Sequence, residues 1–544
     1  MEGKSRKSLL PWVLLGFLMI GSSVLLFSLT AGFTFISDEW DLLLLRPGWG
    51  PEVFLKPFNE HIIIVPALVF KVLQAMFGMD SPRPMQFAAI ATFLACALLL
   101  FFWLRVRVGD WAAVIGAAIV LFLGAAFEDL LWAFQIGYFG SLAAGIGALI
   151  ALDREDRRGD VFAAGLLVFS VSFSSLGIPF AIGAAVEWLM NDRDRRRRWF
   201  VPVAPLAFYA LWWLGWGHEA ESAVSISNLP DLPKYVFDAA SAGMTSMLGL
   251  ATGDGSEPEQ PNLIWGRIAL LVLAGLAAWR LFRLGRIPKG VLVTAAIGLG
   301  FFGLAAMGQS ELRPPTSSRY QLPAVIFTLL FCGELLRGVK IPNYALLVAT
   351  LVVAVTSFAG VDLMRDQASS RWKPSAVSNQ VTIGAVAIAG EAARPDFELD
   401  LFTVTVPVER FQDEVSNSGS PGYSAEEIAG LDAPYRSLAD QTLIDVEGLV
   451  LSGLRPPQPA GDCSQIPVSP GQPVAVNPSL DPLRIVNREN SLLTVSIARF
   501  GDPPGSQIGS IYPRSRAWLN LPLDGSTLPW KVTLGGRGII RTCG

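Results

Sequence analysis

Charge is scarce in this sequence. Asp, Glu, Lys and Arg make up 16% of its 544 residues against 52% hydrophobic types, at a mean hydropathy of +0.46. A single soluble core cannot hide that much apolar surface. Charge imbalance is absent too: a net charge of −4 is too small to suggest a nucleic-acid partner. Residues 361–544 contain no long hydrophobic run, whereas residues 1–360 contain runs of about 17 to 25 apolar residues, so the chain is expected to divide near residue 360. No Gly-rich nucleotide-binding motif, no internal repeat and no catalytic motif in the tail can be found. The first apolar run ends without a small-residue cleavage signal and reads as a retained span. Cysteine is rare. Cys96 and Cys332 lie inside apolar runs, while Cys463 and Cys543 bracket the end of the tail. In an oxidising compartment those two are expected to form a disulfide, stabilising the tail by roughly 4 to 5 kcal/mol.

What is present is a series of eleven expected spans, at 9–33, 84–104, 111–127, 136–152, 160–173, 176–190, 200–217, 263–282, 290–308, 320–336 and 342–360. The stretch 160–190 reads as a hairpin turning at Gly177 and Pro179. Arg154, Arg157 and Arg158 before it and Arg193 with Arg195 to Arg198 after it both belong in the cytoplasm by the positive-inside rule. The apolar stretch His61 to Phe77, interrupted by Pro66 and Lys71, reads as a helix lying in the outer interface. This parity predicts a multi-pass plasma-membrane protein with a cytoplasmic N-terminus and an extracytoplasmic tail. Within the tail, 361–455 is a mixed connecting region with a helical piece at 424–444. After a Pro-rich linker, 456–544 shows short alternating runs expected to form a β-sandwich-like domain. Trp518 and Trp530 either stack on sugar rings or fill that core.

The expected outer loops are polar in an unusual way. The first carries Asp38, Glu39 and Asp41, with Ser37 placed to cap the helix that follows, and continues to Asn59, Glu60 and His61. The second carries Glu128 and Asp129, then Trp132, Gln135 and Tyr138. Acids so close to a bilayer need polar surroundings or counter-ions. The loop before the tenth span, GQSELRPPTSSRYQLP, supplies Arg313 and Arg319 beside Tyr320. A guanidinium at the outer membrane surface matches the oxygens of a lipid phosphate; the alternative is a salt bridge from Arg319 to one of these acids.

The early DE after the first span, the interfacial helix ending in FG, the ED pair between the third and fourth spans and the late SRYQLP together resemble the GT-C superfamily of integral membrane glycosyltransferases, over roughly residues 9–360. The resemblance implies a polyprenyl-phosphate sugar donor reached through the membrane lipid, and a glycan, lipid or protein acceptor. By position it makes Asp38 the candidate base with Glu39 its neighbour. Glu128 and Asp129 become a second acidic site and Arg319 a lipid-phosphate ligand; Arg313, Tyr320, Trp132, Gln135, Asn59 and His61 are binding candidates from the polar loops themselves, and the resemblance assigns no role to Asn59 or His61. It raises a divalent cation, Mg or Mn, on Asp38, Glu128 and Asp129, although no DxD occurs at the second site and a metal-free reaction stays open. Asp38, an acid of the second site and Arg319 are expected to converge on one cavity. Two rival readings use the same residues: a transporter or flippase for a lipid-linked glycan, and a non-catalytic scaffold for an envelope assembly. Against the first, the charges gather at span ends and not at mid-membrane.

Overall fold

The computed structural model describes residues 9–191, 195–220, 222–251, 263–310, 313–401, 404–454 and 463–543. The chain forms two compact units. The first comprises Met1–Ala31, Arg46–Val72 and Arg83–Trp372, and the second Gly32–Leu45, Leu73–Pro82 and Lys373–Gly544.

The first unit is helical. Among the described residues six helices are long and apolar enough to cross a membrane, and a seventh span arises if Asp110–Leu121 and Gly124–Leu131, bent by 44° at their junction, are taken together. Helices also stand at the remaining expected positions, but Arg157–Phe173, Gly177–Leu189, Phe200–Gly215 and Gln321–Leu335 have 17, 13, 16 and 15 residues. At 1.5 Å per residue, about 20 residues cover the hydrocarbon core, so length alone does not qualify them. Their neighbours are exposed in a way only lipid tolerates: Phe17 is 69%, Phe282 86% and Phe358 76% exposed.

Two buried ion networks tie helix ends together inside this unit. Arg107 bonds Glu334 and Asp153, each arginine–acid contact at 3.0 Å or less. Arg198 bonds Asp160 at 2.7 Å and Glu187 at 3.2 Å, and Lys289 reaches Glu187 at 2.9 Å. Arg198, part of a cluster that reads as a topological signal, is therefore also a structural partner, since a buried guanidinium requires a carboxylate.

The sequence reading missed the helix Leu232–Met247. Its buried face is built from Ser241, Ala242, Gly243, Thr245 and Ser246, and such small and polar residues leave no apolar run to detect.

In the second unit, the helix Lys373–Ala389 packs on Ala433–Glu447. The helical piece expected at 424–444 is two helices. Ser424 starts the short Ala425–Ala429 with a full capping box, and Pro434 sits in the first turn of the second helix, where its missing N–H costs nothing. Segments of the first loop belong here as well: Gln74 Nε2 donates to Glu414 at 2.8 Å, and Asp80 Oδ1 accepts the Ser420 N–H at 3.0 Å. The strands are β1 (Glu398–Asp400), β2 (Thr405–Pro407), β3 (Leu451–Ser452), β4 (Cys463–Val468), β5 (Pro473–Val476), β6 (Leu483–Asn487), β7 (Leu493–Ala498), β8 (Ser506–Ile511), β9 (Arg516–Leu519), β10 (Trp530–Leu534) and β11 (Gly538–Cys543). They form a β1–β2 hairpin, a four-stranded sheet in the order β5-β10-β7-β8 and a five-stranded sheet in the order β3-β9-β6-β11-β4, all antiparallel. Buried and less buried residues alternate along β6 and β7, as a sheet with one covered face requires.

The two tryptophans separate. Trp530 is fully buried, and Arg499 lies over its ring at 4.5 Å; Trp518 is only half-buried. The expected disulfide cannot be followed to its sulfurs, because the side chains of Cys463 and Cys543 lie outside the described residues. Their backbones are Cα partners across β4 and β11.

Candidate functional site

The expected site residues fall in both units. Asp38 and Glu39 belong to the second. There Asp38, and not Ser37, occupies the N-cap position of the helix Glu39–Leu44, without a side-chain capping bond. Ser37, at φ 54°, donates its hydroxyl to Asp38 Oδ1 at 3.2 Å. Glu39 is 3% exposed and accepts the Ile36 N–H at 2.9 Å, so part of its role is to fasten the turn.

The first unit holds the other candidates, and local chain geometry accounts for their placement. Phe58 and His61 exchange backbone hydrogen bonds at 3.0 and 2.9 Å, which leaves Asn59 and Glu60 at the tip of a two-residue turn. Such a turn favours a left-handed residue; Asn59 takes that conformation at φ 46° and is exposed. Glu60 is thereby presented to Arg313, whose two guanidinium nitrogens grip its two carboxylate oxygens. Burial pushes the Glu60 carboxyl up, but the Arg313 hydrogen bond and the charges of His61 and Arg313 outweigh it and hold the carboxyl below its ordinary value. His61 is pushed down from its ordinary value by burial, with Glu60 opposing; its Nδ1 is sealed from solvent without a hydrogen-bond partner among the described residues.

Glu128 and Asp129 sit on the short helix Phe127–Leu131, entered through the 3₁₀ turn Gly124–Ala126 and left through Ala133–Gln135. This broken backbone is closed by Ser318, whose hydroxyl donates to the Ala125 carbonyl at 2.7 Å and accepts the Glu128 N–H at 3.2 Å. The same stroke positions Arg319, next in sequence, whose Nε donates to Ser317 Oγ at 3.2 Å. Arg319 is within electrostatic reach of Glu128, Asp129, Tyr138, Tyr320 and Arg313. Tyr235, on the helix the sequence concealed, donates its hydroxyl to the Arg313 carbonyl at 3.2 Å. The remaining aromatic, Trp132, packs against Phe134 and Trp372, and Gln135 is buried in the turn leading to the next helix.

Asp129 stands out chemically. It is fully buried, and neither carboxylate oxygen has a hydrogen-bond partner among the described residues. A carboxyl so placed must hold a proton or meet a cationic or hydroxylic ligand, since burying it charged and unpaired costs several kcal/mol. Glu128, its neighbour, faces Arg371 at 3.7 Å. Among the described residues no three His, Cys, Asp or Glu side chains cluster as a metal site would require. Within this unit Glu128 and Asp129 alone do not supply the about six or more oxygen ligands that a divalent cation takes. On another side of the same short helix lies a shallow, narrow crevice whose lining includes Thr30 and Gln86 beside Leu26, Phe93, Leu131 and Phe139.

Of the residues named from the sequence, Glu128, Asp129, Arg313 and Arg319 lie in the first unit, with Arg319 in electrostatic reach of the other three. Tyr235, Ser318 and Arg371 touch these residues and were not named from the sequence; Ser318 lay inside the quoted SSRYQLP, whereas Tyr235 and Arg371 carried no positional signal. No known family model matches this chain, and no curated protein matches it. Among solved structures, the archaeal oligosaccharyltransferase AglB from Archaeoglobus fulgidus, in complex with an inhibitory peptide and a dolichol-phosphate, is similar over 69% of this chain and 58% of that one, at 12% identity and a TM-score of 0.37; the chain thus spans little more than half of that protein, and a likeness at this level carries no argument.

Proposed function

We propose that this chain is a membrane glycosyltransferase that moves a sugar from a polyprenyl-phosphate donor to a cell-envelope glycan, lipid or protein acceptor on the outer face. On this reading the eleven helical segments are the spans and the two sheets are the halves of a sandwich. The observation that carries the reading is Asp129: a buried acid without a hydrogen-bond partner among the described residues, within electrostatic reach of Arg319. An acid with no structural employment next to a cation is what proton transfer beside a phosphate leaving group requires.

In the transfer, the acceptor oxygen attacks the anomeric carbon and loses its proton to a carboxylate, while the bond to the lipid phosphate breaks. Arg319 stabilises the charge that develops on the departing phosphate, and its guanidinium fork suits those oxygens. Arg313 is already gripped by Glu60 and holds the loop. Asp129 is one candidate for the proton acceptor, and the resemblance to GT-C enzymes assigns that role to Asp38.

Sugar transfer from polyprenyl-phosphate donors, measured in reconstituted membranes, tests the reading. Asp129→Asn or Asp38→Asn, whichever removes the base, lowers transfer by about 10²- to 10⁴-fold while donor binding persists. Arg319→Ala weakens donor binding or departure. Full activity in both folded carboxylate variants would reject acid–base chemistry at either residue.

A further inference from the structure

One segment of the first unit carries cations and no acids. Residues 260–310 contain Arg267, Arg280, Arg283, Arg286 and Lys289, and not one Asp or Glu. Arg267 pairs with Asp238 at 2.7 Å and Lys289 with Glu187 at 2.9 Å, whereas Arg280, Arg283 and Arg286 pair with no carboxylate among the described residues. Lys289 and Arg198 meet on Glu187, and Arg198 also bonds Asp160, so this is the end of the unit where the other arginine clusters gather. The positive-inside rule asks for basic residues there, but it does not ask that they stand without acids. The other clusters do not: Asp153, Glu155 and Asp156 flank Arg154, Arg157 and Arg158, and Glu334 holds Arg107 and Arg337.

The helix Leu263–Leu284, apolar and long enough to cross a membrane, places two of the three unpaired arginines. Ile268, Val272, Leu276, Trp279, Arg280 and Arg283 follow one another at helical intervals and share a face. The four apolar members are exposed, as on a face that lipid covers. Arg280 lies about 6 Å inside the helix end, and its Nε is sealed from solvent without a hydrogen-bond partner among the described residues. Arg283 lies over the Trp279 ring at 5.3 Å, which keeps it on the same face. Left-handed Gly285, at φ 62°, ends the helix, and the exposed Arg286 follows in the turn. A guanidinium at the edge of the hydrocarbon reaches toward the headgroups, where the acceptors it meets are phosphate oxygens. Below it, the apolar stripe from Ile268 gives an acyl chain about 18 Å of helix to lie along. Three guanidinium forks exceed the charge of one phosphodiester and come closer to matching two.

We propose that this helix end holds an anionic phospholipid whose headgroup carries two phosphates, bound by Arg280, Arg283 and Arg286 with an acyl chain along Leu276, Val272 and Ile268. The inference does not depend on the transfer reaction, because a chain without transferase activity would still bind. The probe is cardiolipin, mixed with phosphatidylcholine in nanodiscs that hold the full-length protein, and native mass spectrometry of the released protein measures the lipid retained. The wild type retains cardiolipin in preference to phosphatidylcholine, and retains phosphatidylglycerol supplied at equal charge about threefold less. Arg280→Gln with Arg283→Gln lowers cardiolipin retention by about tenfold or more. The control is Arg157→Gln with Arg158→Gln, two exposed arginines that remove the same charge at the same end but have acids beside them; it changes retention by less than about twofold. Unfolding midpoints verify that both variants are folded. Equal loss in the control pair, equal retention of phosphatidylcholine or phosphatidylglycerol, or undiminished cardiolipin on the folded Arg280→Gln, Arg283→Gln protein would each overturn the proposal.

Discussion

Glu447 and Asp524 show what one proton does in a dry setting. Asp524 is paired to Arg499 with both side chains wholly buried, and the neighbouring Glu447 oxygens find no donor among the described residues. Two carboxyls side by side can hydrogen-bond only if one is protonated. Burial first, and then Asp524, pushes Glu447 up to about 9. The folded protein thus holds a proton that the unfolded chain, with an ordinary glutamate, releases at lower pH. Stability from this group is fully present below the unfolded value and is lost as pH rises toward 9. Glu447→Gln should therefore flatten the pH dependence of tail unfolding, and should exceed the wild type increasingly from pH 5 to 9, with a slope difference of at most about 1.4 kcal/mol per pH unit. Parallel pH–stability curves for the two proteins would contradict the assignment. None of this could be read from the sequence, where Glu447, Arg499 and Asp524 are ordinary charged residues far apart. Glu128, Asp129 and Arg319 were legible because carboxylates and guanidiniums beside apolar runs are costly, and their cost shows in the sequence even when their partners do not.

At the level of elements, close packing of glycines decides whether the bent helix that carries the acids can form. Gly124, in the 3₁₀ turn, meets Gly360 of the helix Asn343–Gln367 backbone to backbone, and a Cβ on Gly360 would collide with the Phe122 carbonyl. Gly360→Val should lower the unfolding midpoint in detergent by the equivalent of about 1–3 kcal/mol or more, as overpacking does, and should reduce transfer with it. Gly303, with open space around its Cα, is the control, and Gly303→Ala should do neither. A Gly360→Val protein as stable as the wild type would mean that the turn is not held there. The ion networks make a second element-level case. Arg107→Met leaves the buried Glu334 with only the longer Arg337 contact at 3.5 Å and should cost up to about 3–5 kcal/mol, whereas adding Glu334→Leu should restore much of it. A double variant no better than the single one would show that packing, and not the stranded charge, causes the loss. Hydropathy located the helix positions in this unit because apolar runs mark helices. It could not say which of them are long enough to span, and it passed over Leu232–Met247, whose hidden face is made of small polar residues.

For the molecule as a whole, the prediction concerns which side of the membrane each part occupies, and it joins two readings made separately. Arg154, Arg157 and Arg158, and Arg195 to Arg198, are cytoplasmic if the positive-inside rule governs this chain, and the parity that follows places the tail outside. An outside tail in an oxidising compartment is also the condition for joining Cys463 to Cys543. Their backbones are directly opposed in an antiparallel ladder, where Cα atoms lie about 4.5–5.5 Å apart, inside the range a disulfide spans. The two expectations therefore stand or fall on one orientation and can be tested on one preparation. In intact cells, an impermeant maleimide should label Tyr512→Cys, in an exposed turn of the tail, and should spare Glu155→Cys, exposed beside the first arginine cluster, until the membrane is opened. Non-reducing peptide mapping of the same cells should recover the Cys463–Cys543 crosslink. Labelling of Glu155→Cys from outside would reverse the orientation. Free thiols at both tail cysteines, with Tyr512→Cys labelled from outside, would leave the orientation standing and reject the disulfide.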